Sequence, residues 1–148
     1  QKTGAAKIPV AAVLWAGDRP RDYEKWQRFM DLYGRWHQLH DDLMDWAADL
    51  RGGVSTYILS EARRRKRCGQ PLAEWMLREG WAWGLGELRA RLAELHREAA
   101  GLGVPDVTTY LEAREAGLPH AGGAIQAGLD NLADLAARVL PGHPGAGA

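Results

Sequence analysis

From Arg21 to Leu50 the chain carries no proline and one glycine, Gly34, while Trp26, Phe29, Tyr33, Trp36, Leu43, Ala47 and Leu50 recur at steps of three, four or seven residues. Apolar residues at that period share one face of an α-helix and would scatter over both faces of a strand. The spacing predicts a long amphipathic helix, bent if anywhere at Gly34, whose apolar face other helices must cover.

The same period recurs along the rest of the chain. Ala5 to Ala16 reads as a helix buried on most sides, stopped by Gly17 and Pro20. Gly52 and Gly53 break the long helix, and Thr56 to Arg67 resumes helical spacing until Gly69. Pro71 suits the first turn of a segment that runs to about Ala100, with Gly80, Gly84 and Gly86 as points of kinking or splitting. Shorter helices are expected over Asp106–Ala116 and Pro119–Leu140, where Asp130 and Asp134 read as surface residues. A small, flexible tail follows from Pro141. No alternating strand pattern competes, so the sequence predicts an all-α fold, a bundle of five or six helices in one domain over residues 1–140.

Charge and cysteine content narrow the function classes. With 19 basic and 19 acidic residues in 148, the formal net charge is zero. No global field draws the chain onto nucleic acid or an anionic membrane, so such binding needs a local patch. The one cysteine, Cys68, cannot form an intrachain disulfide, and no zinc-type cluster exists, which points to a reducing compartment, the cytoplasm. The longest apolar stretch, Ile8–Ala16, is about half of the ~20 residues a membrane span needs. No transmembrane helix is expected.

The informative stretch is Gln38-Leu39-His40-Asp41-Asp42-Leu43-Met44-Asp45, followed by Asp49. At ~100° per residue, Gln38, Asp41, Asp42, Asp45 and Asp49 fall in one sector of the helix, opposite Trp36 and Leu43. Like charges at i,i+4 repel, so a row of them calls for a counter-charge. An all-oxygen donor set suits a hard cation such as Mg²⁺, which takes one or two carboxylates and binds substrate phosphates at its other positions. The plainer reading is a solvated acidic face. His37 and His40 lie outside the sector and are expected in core or surface roles. Trp46, Trp75, Trp81 and Trp83 are expected in the core, with an apolar wall for a ligand as the alternative.

Around this stretch the landmarks fall in a recognisable order. Lys2-Thr3 opens the chain, His37-Gln38-Leu39-His40-Asp41-Asp42-Leu43-Met44-Asp45 follows, and then Gly53-Val54-Ser55-Thr56-Tyr57. The order resembles the trans-isoprenyl diphosphate synthases, a family within the class I isoprenoid synthases. That family places a Lys-Thr at a helix start, then Phe-Gln-x-x-Asp-Asp-x-x-Asp, then Gly-Lys-Ser-Thr-Tyr-Pro. The resemblance implies Mg²⁺ held by Asp41 and Asp45 with help from Asp42, Lys2 paired with an allylic prenyl diphosphate, and Thr3 and Gln38 near its reacting end. It implies ionisation of that diphosphate followed by coupling to isopentenyl diphosphate or by cyclisation.

Two departures bear on this reading. Val54 stands where the family has a lysine, leaving Arg51 or the Arg63–Arg67 run as the nearest substitutes. The family also holds its metals between two aspartate-rich motifs, the first lying upstream of Lys-Thr, and no second cluster occurs here. The resemblance therefore implies the C-terminal half of a synthase-type bundle, completed by an N-terminal half or second subunit in a homo- or hetero-oligomer. The alternative is a non-catalytic helical subunit that pairs with a complete synthase.

Overall fold

A computed structural model of the chain describes residues 4–118 and 127–128, and every regular element among them is helical. The protein is an all-α bundle. Helix α1 (Gly4–Ala16) ends at Gly17, and a 3₁₀ turn (Pro20–Asp22) leads into α2 (Tyr23–Met44). Then come α3 (Trp46–Arg51), α4 (Tyr57–Arg65), α5 (Leu72–Trp75), a π-helical turn (Met76–Gly80) and α6 (Trp81–Ala100). Residues 105–118 form a further helix, α7.

Helices α2 and α6 are the central pair. Phe29, Trp36, Leu39 and Leu43 of α2 share one core with Leu85, Leu88, Leu92 and Leu95 of α6, and α4 adds Ile58 and Ala62. Trp75, Met76, Leu111 and Leu118 close it. Of the residues read on the apolar face of the long helix, Phe29, Trp36 and Leu43 are in this core, and Trp26 and Tyr33 pack against it.

One of the two tightest glycine positions in this core is Gly84. A Cβ placed there would lie 2.6 Å from Leu43 Cδ1, and Leu43 is fully buried with no room to withdraw. Gly84→Ala is therefore expected to cost about 1–3 kcal/mol from overpacking, more than the ~1 kcal/mol that helix propensity returns. Two residues on, a Cβ at Gly86 meets nothing within 4 Å. Gly86→Ala should stabilise by about 0.5–1 kcal/mol, and urea denaturation of the two variants checks the opposite signs.

Two features depart from the sequence reading. The long helix continues unbroken through Gly34 and has its break at Asp45, whose φ of −96° and ψ of 4° leave the helical region. Asp41, Asp45 and Asp49 repel at i,i+4, and Asp is a weak helix former, so the break falls in the middle of the row. Of the three points expected in the segment from Pro71, Gly80 is where it divides, at the π-turn, while Gly84 and Gly86 lie within α6. Gly80 ends that turn because the Trp75 ring and Met76 Sδ pack within 3 Å of where its Cβ would stand.

Helix α1 is not buried on most sides: Ile8 and Val13 are 71% exposed and Trp15 67%, and Leu14 is its buried residue. It is apolar on several faces but leans on α2 by one, where Lys7 pairs with Asp31 at 2.6 Å. The helix expected over Pro119–Leu140, with Asp130 and Asp134, and the tail beyond it lie outside the described residues. Among the described residues no helix is long and apolar enough to cross a membrane.

Candidate functional site

Burial of Trp36, Leu39 and Leu43 turns the opposite face of α2 outward, and the chain returns across that face after α3. Gly53, at a φ of 68°, makes the turn, and the Val54 amide donates to the Asp49 carbonyl at 2.9 Å. A cavity of about 560 Å³ opens between these segments. Met30, Tyr33 and Gly34 line it from the first turns of α2, then His37, Gln38, Asp41, Asp42 and Asp45, and Asp49, Val54 and Thr56 complete the wall. The break at Asp45 does not scatter the row, because all four carboxylates face one concavity.

The four carboxylates are not equivalent. Asp42 is 5% exposed, and both its oxygens are engaged: Gln38 Nε2 donates to Oδ1 at 2.7 Å and the Tyr57 amide donates to Oδ2 at 3.1 Å. Tyr57 opens α4, whose N-cap is Thr56, with Oγ1 accepting from the Leu59 amide at 3.3 Å. Amides in the first turn of a helix have no partner within it, and the helix dipole favours an anion there. Asp42 therefore ties α2 to the start of α4, and Gln38 is held on the same carboxylate. Asp41 and Asp45 are exposed to the cavity. Asp41 lies 3.1 Å from His37 Nδ1 and 3.6 Å from His40 Nδ1. Lys2 and Thr3 lie outside the described residues.

Among the described residues no Lys or Arg lines the cavity, and no three His, Cys, Asp or Glu side chains are placed to hold a metal by themselves. Mg²⁺ differs from zinc in not requiring such a cage. It is commonly held by one or two carboxylates and completed by water and phosphate oxygens. Asp41 and Asp45, the two exposed carboxylates on the wall, are the groups that could take part in holding such an ion.

The far end of the cavity is aromatic. The Tyr33 ring stacks on Phe29, and its hydroxyl is 2.7 Å from the Tyr110 hydroxyl of α7, which accepts from Arg114 Nε at 2.8 Å. Burial and the hydrogen bond to Tyr110 push the Tyr33 phenol up to about 12 from its ordinary value of 10. A raised phenol keeps its proton in the folded chain where the unfolded chain has lost it. The stabilisation is fully present below pH 10 and is lost as pH climbs towards 12. Tyr33→Phe is expected to flatten the alkaline limb of the stability profile across that window, read as urea midpoint against pH.

The sequence brought the carboxylates and Gln38 together but did not mark Met30, Tyr33, Gly34 or His37 as site residues. Met30 and Gly34 continue the Gln38–Asp41–Asp45 face towards the N-terminus at helical spacing. Tyr33, read on the apolar face, and His37, read outside the carboxylate sector, stand at its edge, and the structure corrects both readings by placing them on the cavity wall. Trp75 and Trp81 are buried in the core, Trp46 and Trp83 pack against it, and none of the four lines the cavity. Arg51 and the Arg63–Arg67 run do not line it either. Comparison with known protein families, with curated proteins and with solved structures gives no match.

Proposed function

We propose that the cavity binds a prenyl diphosphate through Mg²⁺, and that the chain is the carboxylate-bearing half of a class I isoprenoid synthase completed by an N-terminal half or partner subunit. The observation that carries this reading is the concentration of Asp41, Asp45 and Asp49 on the wall of one ~560 Å³ cavity, a size within the range of small-molecule sites. Bound there, Mg²⁺ supplies electrostatic stabilisation of a departing diphosphate. The chain's own groups divide the remaining work. Asp41 and Asp45 hold the charged end, Asp42 and Gln38 fix the face that carries them, and Met30 and Tyr33 offer an apolar wall about two to four turns away to an allylic chain. The ordered likeness of Lys2-Thr3, Gln38–Asp45 and Gly53–Tyr57 to the synthase landmarks supports the same chemistry, with isopentenyl diphosphate as the second substrate where the reaction is chain elongation.

The test is thermal. Mg²⁺ alone should move the melting temperature little, because the wall provides too few ligands. Inorganic diphosphate alone should move it little, because the wall is anionic. Together, near a hundredfold excess over the dissociation constant, they should stabilise by about 2.7 kcal/mol, a rise of roughly 5–10 °C for a chain of this size. The shift should vanish in Asp41→Ala/Asp45→Ala. An equal shift in that double variant, or none in the wild type, overturns the reading. The alternative, a non-catalytic subunit pairing with a complete synthase, is favoured by the lack of any Lys or Arg on the described cavity wall, and it expects no joint shift.

A further inference from the structure

The cations that the cavity does not use are gathered elsewhere. Arg63, Arg64, Arg65, Lys66 and Arg67 close α4 at its C-terminal end, two turns beyond the cavity-lining Thr56. Arg65 lies over the Trp83 ring at 4.5 Å, and Arg91 of α6 lies 5.4 Å from the Tyr57 ring centre. The two rings are 6.3 Å apart. Arg65, Trp83, Tyr57 and Arg91 thus form one ladder across α4 and α6. Glu61, the acid paired within the run, is 8% exposed and held by Arg64 at 2.7 Å and Arg65 at 3.3 Å. Glu79, Glu87 and Glu94 each lie three or four residues from Trp83 or Arg91. Six cations against these four carboxylates leave a local positive excess on a chain of zero net charge.

We propose that this face docks on an anionic lipid bilayer. Clusters of several Lys and Arg are attracted to anionic head groups, each cation adding about fivefold to partitioning. Two other polyanions fit this face less well. A single-stranded nucleic acid needs free aromatic faces for its bases or a groove along its backbone. Here Arg65 and Arg91 already cover Trp83 and Tyr57, and none of the cavities described is lined by any of these residues. The acidic face of a second copy is a poor match, because its carboxylates line a concave wall that a convex helix end does not enter.

Sedimentation with vesicles of phosphatidylcholine, with and without phosphatidylserine, tests the proposal on the full chain. Binding is expected only with phosphatidylserine, and it should weaken as salt shortens the range of the attraction. Arg63→Gln/Lys66→Gln/Arg67→Gln avoids the Arg64 and Arg65 pairs with Glu61, so its melting temperature should match the wild type. Its partitioning should fall on the order of a hundredfold, while Arg63→Lys/Lys66→Arg/Arg67→Lys retains binding. Equal binding by the neutralised variant, equal binding to both vesicles, or binding to a single-stranded oligonucleotide without binding to vesicles overturns the proposal.

Discussion

Trp36→Ala is expected to lower stability by about 3–5 kcal/mol, a large share of the 5–15 kcal/mol typical of a folded domain. Trp36 is 2% exposed at the centre of the α2–α6 contact, where its indole Nε1 donates to the Leu88 carbonyl at 3.2 Å. Removing the ring deletes the largest fully buried side chain on α2 and leaves a cavity that two paired helices cannot easily close. Trp36→Phe separates the two contributions. It keeps most of the aromatic volume, beside Tyr33 and His40, and gives up the hydrogen bond, for a cost nearer 1–2 kcal/mol. Urea denaturation measures both, with an unchanged slope as evidence that the denatured state is the same. The alanine variant should also weaken the joint Mg²⁺ and diphosphate shift. Trp36 sets the rotation of α2 about its axis, and that rotation aims Gln38, Asp41 and Asp45 at the cavity.

That rotation was legible in the sequence. Burial at Trp36 and Leu43 and exposure at Asp41 and Asp45 follow from helical period alone, because hydrophobic burial acts residue by residue along one face. The helix ends beside Gly17, Gly52 and Gly101 were legible for a similar reason, since local backbone chemistry decides them. Features that depend on a distant partner were not. The break at Asp45 was missed for another reason: its causes, repulsion at i,i+4 and the weak helix propensity of Asp, are local, but Gly34 looked the weaker point because glycine carries the larger intrinsic penalty. The π-turn at Met76–Gly80 exists to seat Trp75 and Met76 against Gly80, a packing event that no spacing rule reports. Tyr33 meets Tyr110 across 77 positions, and the exposure of α1 depends on how few neighbours reach it. The carboxylate row announced itself, but the sequence could not divide it, because the group that occupies Asp42 is a backbone amide fifteen residues later.

That division is the most direct thing to test. Asp42→Ala is expected to cost about 2–4 kcal/mol, since hydrogen bonds to a charged group are worth roughly 1.5–3 kcal/mol and an unpaired buried donor adds a penalty. The Tyr57 amide would lose its acceptor at the first turn of α4, and Gln38 would lose the partner that holds it. Asp42→Asn should be far milder. Its carbonyl oxygen can still accept from Tyr57, and its amide can donate to Gln38 once the Gln38 side chain turns over to present its own oxygen. What remains lost is the negative charge at the start of α4, about 0.3–1 kcal/mol. Gln38→Ala alone leaves the buried, charged Asp42 Oδ1 without its donor, a penalty that Asp42→Asn reduces by removing the charge, so in Asp42→Asn/Gln38→Ala the two changes together should cost less than the sum of each alone. The same variants separate structure from ligand binding. A carboxylate that serves as a tie between helices keeps the joint Mg²⁺ and diphosphate shift when it becomes Asn, whereas Asp41→Ala/Asp45→Ala loses the shift with little change in stability. If Asp42→Asn abolished the shift while leaving the fold intact, Asp42 would be a metal ligand first, and its bonds to Gln38 and Tyr57 would be the resting arrangement that the ligand displaces.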